Sequence, residues 1–387
     1  MNTSAILILS LIALAAVSCK KEVTKYETFA DYPEPVAEDL WLDYNEEATT
    51  FKLWSPTAEQ VVVQLYKNGH DGEAYDTQDL QQDDFGIWTN EIKGDLNGVY
   101  YTYQVKIEGQ WQDETPGIYA QAVGVNGHRA MVLDLSTTNP DGWEWDKGPS
   151  IDNPNEAIIY ELHVRDITIH ESSGAENKGK FLGLVEKGTT SPDGLSTGID
   201  HMKELGITHV HLLPSFDNYS IDETKLDSPQ FNWGYDPQNY NVPEGSFSTD
   251  PYNAEVRIKE FKEMVKGFHD AGIVVIFVVV YYHTGRTVEA NFNQEIPGYY
   301  YRQWEDGKWS DASACGNETA SDRAMARKYI IESIEYWTRE YHLDGFRFDL
   351  MAIHDIETMN QVAQAAKIIN PNEFIYGEGW TAGDSPL

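Results

Sequence analysis

Between residues 158 and 377, short runs of apolar residues alternate with amphipathic stretches, and this alternation restricts the fold more than any other feature of the 387-residue chain. The apolar runs fall at 158–163, 206–213, 273–281, 344–349 and 374–377. Between them the apolar positions take a helical period. Val256, Ile258, Phe261, Met264, Val265 and Phe268 lie within 253–271, and Ile330, Ile334, Trp337 and Tyr341 within 321–342. A helix ending at Leu205 and another at 356–369 complete the series. Strands apolar on both faces need cover on both, and a helix after each strand supplies it in a parallel sheet. The expectation is an α/β unit of five βα steps over 156–387. Its two long connections, 214–252 and 284–319, would lie at the C-terminal strand ends, where sites are built.

Upstream the period changes. Strand-like runs at 50–54, 61–66, 98–107 and 131–133 are separated by Asn68-Gly69, Asp71-Gly72 and Asn126-Gly127. Short strands punctuated by turn residues, with no helical period, predict a β-sandwich over 39–135. Pro149 and Pro154 mark 136–155 as a linker, and the polar, proline-containing stretch 20–38 reads as a tether.

Residues 6–18 form an apolar run closed by small residues, as in a secretory signal, and Ala16-Val17-Ser18-Cys19 resembles a bacterial lipobox. The expectation is a lipoprotein signal over 1–19, acylation at Cys19, and a membrane partner reached through that lipid in the bacterial cell envelope. The other cysteine, Cys315, is expected as a buried structural thiol, and two cysteines give no disulfide framework.

The 28 basic and 63 acidic residues leave a net charge of -35, a field that repels nucleic acid and suits a neutral ligand. With 23 Tyr and 11 Trp the chain is rich in rings able to stack on sugars, although most rings in a globular protein only fill cores. Asp349 and Glu378 stand at the ends of the fourth and fifth apolar runs, so adjacent strands would bring two carboxylates to one rim. Glycoside hydrolysis by retention needs such a pair, one attacking the sugar and one donating a proton. Arg347, two residues before Asp349, would share its side of the strand. Any parallel α/β protein puts acids at strand ends, so this spacing alone does not separate a glycosidase pair from ordinary solvated carboxylates.

Longer motifs carry a resemblance. Phe231-Asn232-Trp233-Gly234-Tyr235-Asp236-Pro237 resembles the heptapeptide of type I pullulanases, with Phe231 for its first tyrosine, and it runs into Pro243-Glu244-Gly245-Ser246-Phe247. Asp344 to Asp349 resembles the nucleophile segment of glycoside hydrolase family 13, and Tyr376-Gly377-Glu378-Gly379-Trp380 its general-acid segment. Phe51-Lys52-Leu53-Trp54-Ser55-Pro56 resembles the carbohydrate-binding-module-like sandwich that precedes the catalytic barrel in debranching enzymes.

The resemblance implies an N-terminal β-sandwich followed by the first five βα units of a TIM (β/α)8 barrel. It implies Asp349 as nucleophile, Glu378 as acid/base and Arg347 as supporting cation. His283, Tyr235, Asp236, Trp233 and Trp380 would bind an α-glucan. No redox cofactor is implied; structural calcium occurs in some members. Two positions depart from the family pattern: Val278 stands for an aspartate beside the active-site arginine, and Tyr282 for an asparagine beside His283. Val278 would leave Arg347 without a partner, and Tyr282 would crowd His283.

The sequence ends at Leu387 before a sixth strand, so a third acid and the rest of a barrel are expected elsewhere and these residues alone are expected to be inactive. The implied activity is retaining cleavage of α-1,6 bonds in pullulan, starch or glycogen. The rival of another class is a non-catalytic glucan-binding surface lipoprotein on the same scaffold.

Overall fold

The computed structural model describes residues 24–150 and 153–387. The signal and Cys19 lie outside the described residues. Among the described residues no helix is long and apolar enough to cross a membrane.

The sandwich is built from two antiparallel sheets. One runs Asp43–Asn45, Ala48–Trp54, Ile87–Lys93, Gln81–Gln82; the other runs Asp76–Asp79, Gln60–Tyr66, Tyr100–Ile107, Gln110–Trp111, with Ala130–Met131 added against Tyr100–Ile107. Alternate residues point inward, so Phe51, Leu53, Val61, Val63, Leu65, Tyr101, Tyr103 and Val105 make its core. Leu40, Trp54, Tyr66 and Tyr100 join the core of the second unit instead, so the two units share an apolar seam.

The second unit is a five-stranded parallel sheet whose spatial order follows the chain: Ile159–Leu162, His209–Leu212, Val274–Val279, Gly345–Phe348, Phe374–Gly377. Each crossover contains a helix: Gly198–Glu204, Ala254–Asp270, Ala324–Glu340 and Ile356–Ile369. Local chemistry fixes the helix starts. Asn253 Oδ1 accepts from Glu255 N at 3.1 Å, and Asp355 Oδ1 from Thr358 N at 2.9 Å, each satisfying an amide that has no intrahelical acceptor. Helix 254–270 then buries Ile258, Phe261, Met264, Val265 and Phe268 against the sheet. The third strand, Val274–Val279, is buried along its whole length, as a central parallel strand must be.

The stretches read as tether and linker are docked. Tyr32 stacks on Tyr299 at 5.6 Å, and Arg323 lies 4.4 Å from the centre of Phe29. Lys262 Nζ donates to Thr138 Oγ1 at 2.8 Å and to Asn139 Oδ1 at 2.6 Å. Trp143 stacks on His342 at 4.0 Å, and Asp146 Oδ2 bonds both His269 and His342. Aromatic and histidine contacts of this kind bind 136–146 to the helices at the N-terminal end of the parallel sheet.

Candidate functional site

The sheet delivers its polar side chains to one rim by register. Val278 pairs with Arg347, and Arg347 with Tyr376, so the third, fourth and fifth strands end side by side. Asp349 follows the fourth strand, its amide bonded to Val279 O at 3.1 Å; Glu378 follows the fifth, its amide bonded to Phe348 O at 3.0 Å. Between these carboxylates lies Arg347, which ion-pairs through Nη1 with Asp349 and through Nη2 with Glu378. The expectation that Val278 would strand Arg347 is therefore corrected. Val278 is fully buried and apolar, and the guanidinium turns from it to the two rim carboxylates.

Leu350, directly after Asp349, adopts φ +41°, a left-handed conformation that costs a side-chain-bearing residue free energy. In this conformation its amide donates to Glu378 Oε2 at 3.3 Å, so the turn fixes both carboxylates relative to one another. Burial pushes the Asp349 carboxyl above the usual range, and the hydrogen bond from Arg347 draws it back only in part. Arg347 thus contacts Asp349 as expected, but burial opposes its ionising effect.

His283 is buried, with Nε2 at 2.7 Å from Tyr235 O, and burial pushes its imidazole down to about 4, so it stays neutral near pH 7. Its Nδ1 has no protein partner. Tyr235 lies in the field of Asp349, Arg347, Glu161 and Glu378, and burial raises its phenol. Trp233, 63% exposed, meets Tyr235 edge-on at 6.5 Å and lies tilted against Phe231 at 5.5 Å. These three rings form one aromatic cluster, with Phe231 and Trp233 exposed. Asp236 Oδ2 accepts from Ser220 Oγ at 2.6 Å. Trp380 is exposed at the rim just past Glu378.

Three groups near the site were missed or misread. His211 Nδ1 lies 3.1 Å from Tyr376 Oη, and its Nε2 is 3.7 Å from Glu161 Oε2, giving the sheet interior a polar layer beneath Arg347. Burial and Arg347 push His211 down to about 4. Alternation along the first two strands, where Glu161 and His211 pair in register, was the available signal. Tyr282, expected to crowd His283, is buried and stacks on it with ring centres 4.5 Å apart. Cys315, expected as a buried structural thiol, is exposed at this rim because loop 311–318 carries it there.

A cation site was tested on the cluster of Asp217, Glu223 and Glu244, all buried where Asn126 of the sandwich meets the parallel unit. Arg257 already occupies it, Nη1 at 3.1 Å from Asp217 and Nη2 at 2.8 Å from Glu223, so the residues present do not fit an added divalent ion. Asp217 is pushed up to about 7 by burial and by Glu223.

As chemistry, the rim offers two carboxylates bridged by a cation, a neutral imidazole, and a wall of exposed rings. That combination suits a neutral polyhydroxylated ligand and acid/base work at an acetal.

Comparison with known proteins agrees. Residues 40–119 match the model for Carbohydrate-binding module 48 (Isoamylase N-terminal domain), and residues 185–322 match that for the Alpha amylase, catalytic domain. A curated pullulanase of Bacillus subtilis (strain 168) is 39% identical over 344 residues, covering 88% of this chain and 46% of that protein. Pullulanase A of Streptococcus pneumoniae is 31% identical over 386 residues, covering 90% of this chain and 29% of that protein. Among solved structures, the pullulanase of Paenibacillus barengoltzii in complex with maltohexaose and α-cyclodextrin superposes with a TM-score of 0.90 at 49% identity, covering 93% of this chain and 56% of its own. The pullulanase of Anoxybacillus sp. LM18-11 complexed with maltotriose gives 0.85 at 40% identity, covering 94% and 50%. The chain spans about half the length of the relatives it matches, or less.

Proposed function

From the premise that the chain belongs to glycoside hydrolase family 13, carrying the sandwich and the leading part of the catalytic domain of type I pullulanases, we propose that its protein is a retaining α-glucan debranching hydrolase. The substrate is pullulan, starch or glycogen, cut at α-1,6 bonds. The observation that carries this is Asp349 and Glu378 on adjacent strand ends, bridged by Arg347, with Tyr235 of the Phe231, Trp233 and Tyr235 ring cluster beside them. Relatives of this architecture include structures solved with maltohexaose and maltotriose, which supports a linear α-glucan as occupant.

In this reading Asp349 attacks the anomeric carbon and Glu378 protonates the leaving oxygen, then removes a proton from water. Arg347 first holds both carboxylates, and must release Glu378 for it to carry the proton. His283, kept neutral by burial, and Tyr235 bind the sugar between them, while Trp233 and Trp380 stack on flanking sugars. Product analysis tests the reading: pullulan should yield maltotriose, whereas panose or isopanose would mean α-1,4 cleavage and overturn it.

We also propose that Cys19 is acylated and anchors the protein in the cell envelope, on the strength of Ala16-Val17-Ser18-Cys19. Cys19→Ala should move the protein from the membrane to the soluble fraction, and unchanged fractionation would refute the anchor.

A further inference from the structure

Glu318 is fully buried, and four donors meet its carboxylate. Oε1 accepts from Arg302 Nη1 at 3.1 Å and from Ser385 Oγ at 2.6 Å; Oε2 accepts from Ser310 Oγ and from Ala312 N, both at 2.9 Å. A charge out of water is tolerated only when paired and hydrogen-bonded, and here one carboxylate both closes loop 311–318 and reaches out of it. With its amide held by Glu318, Ala312 presents its carbonyl to the amides of Ala382 at 2.9 Å and Gly383 at 3.0 Å. Residues 379–387 form no helix or strand, and among the described residues their hydrogen bonds to the rest of the protein all end on Ala312 and Glu318. The other arm of the loop is fixed beside His283. Asn317 Oδ1 accepts from Thr284 N at 3.1 Å and its Nδ2 donates to Thr284 O at 2.9 Å, gripping the residue that follows the imidazole.

We propose that Glu318 is a positioning residue for glucan binding: through Ala312 and Ser385 it holds segment 379–385 so that the Trp380 ring stays at the rim beside Glu378. This rests on the reading of Trp380 as a ring that stacks on a flanking sugar. Trp380 is 55% exposed, so the chain on either side of it fixes its place more than packing does. On one side the fifth strand ends at Gly377, with the Glu378 amide bonded to Phe348 O; on the other stands the clasp to loop 311–318. A ring ordered before the sugar arrives lowers the conformational entropy lost on binding. Because Asn317 ties the same loop to Thr284, the clasp also sets Trp380 in relation to His283 across the rim. Glu318 itself is buried and touches no sugar.

The test is maltotriose binding by calorimetry in the full 387-residue chain, as a double-mutant cycle between positions 318 and 380. Trp380→Ala should weaken binding about tenfold, the loss of one stacking ring. Glu318→Gln puts an amide donor where the carboxylate accepted. It should weaken binding about three- to tenfold by loosening the clasp, yet add nothing in the Trp380→Ala background. A merely structural loss would weaken binding equally with and without the ring, so additive effects, or unchanged affinity in Glu318→Gln, would overturn the proposal. Ser385→Ala spares the Arg302 pair and the closure of the loop, and it decides the matter if Glu318→Gln does not fold. It should weaken binding about threefold with an unchanged melting temperature, show the same non-additivity with Trp380→Ala, and speed hydrogen exchange of the Ala382 and Gly383 amides. Unchanged affinity or unchanged exchange in Ser385→Ala would equally refute the clasp. A silent Trp380→Ala, or no maltotriose binding by the unaltered chain, would overturn the glucan reading of the rim and the proposal with it, whereas additivity counts against Glu318 alone.

Discussion

Arg347 stands directly opposite Val278 in the register of two parallel strands, and having nothing there to pair with, it bridges Asp349 and Glu378 instead. An apolar side chain at one strand position thereby decides where a cation three strand-ends share will sit. Asp at 278 would offer Arg347 a third carboxylate and loosen its hold on Glu378.

Val278→Asp is therefore expected to cost little stability when Arg347 is present, because the new buried charge finds a partner. In an Arg347→Met background the same change should cost about 3–5 kcal/mol, the penalty for a lone buried charge. Urea unfolding of the four proteins in this cycle should give a coupling of about 2 kcal/mol or more. Additive effects would show that Arg347 does not move toward position 278.

Glu295 lies buried at the seam, where Oε1 accepts from Ile118 N at 2.7 Å and the carbonyl accepts from Ser55 Oγ at 2.7 Å. Burial pushes its carboxyl up to about 8, only partly countered by that amide. A raised carboxyl stabilises the fold fully below its ordinary value of 4.5 and loses that contribution as pH rises through about 8. Glu295→Gln should flatten the fall in stability between these limits by a few kcal/mol at most, read from denaturant midpoints at several pH values. An unaltered pH profile would mean that Glu295 stays ionised at the seam.

His269 joins Asp146 at 2.8 Å to Asp344 at 3.0 Å and so clasps segment 136–146 to the base of the sheet. Burial alone would lower its pKa, but the two carboxylates outweigh burial and raise it to about 9. The clasp is fully present below the ordinary imidazole value of 6.5 and is lost as pH rises through about 9. His269→Gln should cost about 2–4 kcal/mol at pH 6 and much less at pH 10. Hydrogen exchange should show amides of 139–146 opening first in the variant; equal protection would place the clasp elsewhere.

Trp233 is exposed, its ring set against Phe231 and Tyr235, so removing it should not affect folding. Trp233→Ala is expected to weaken maltotriose binding roughly tenfold, or about 1.4 kcal/mol, with an unchanged melting temperature. Equal affinity in calorimetry would exclude this ring from glucan binding.

The sequence foretold best those parts that local periodicity controls. Helices 254–270 and 356–369 were legible because one apolar stripe and one capping side chain mark each of them. The sandwich strand Ile87–Lys93 was not, since only Ile87, Trp88 and Ile92 are apolar in it and its pairing to Ala48–Trp54 supplies the rest. The hairpin of Phe216–Asn218 with Pro237–Pro243 is buried throughout yet has no alternation to reveal it. At the site, Asp349, Glu378 and Arg347 could be named from strand ends, whereas the partner Arg347 takes depends on the register between two strands far apart in sequence. Cys315 was misjudged for the same reason: loop 311–318 sets its exposure through Glu318, buried against Arg302, Ser310 and Ala312.

The most direct test of the account is the anomeric form of the first product released from pullulan, followed by NMR. The enzyme for it is a fusion of this chain to the remaining barrel of a relative. The account predicts α-configured maltotriose at early times and a loss of activity of at least about a thousandfold in Asp349→Asn. A β-configured first product, or full activity without the Asp349 carboxylate, would contradict it.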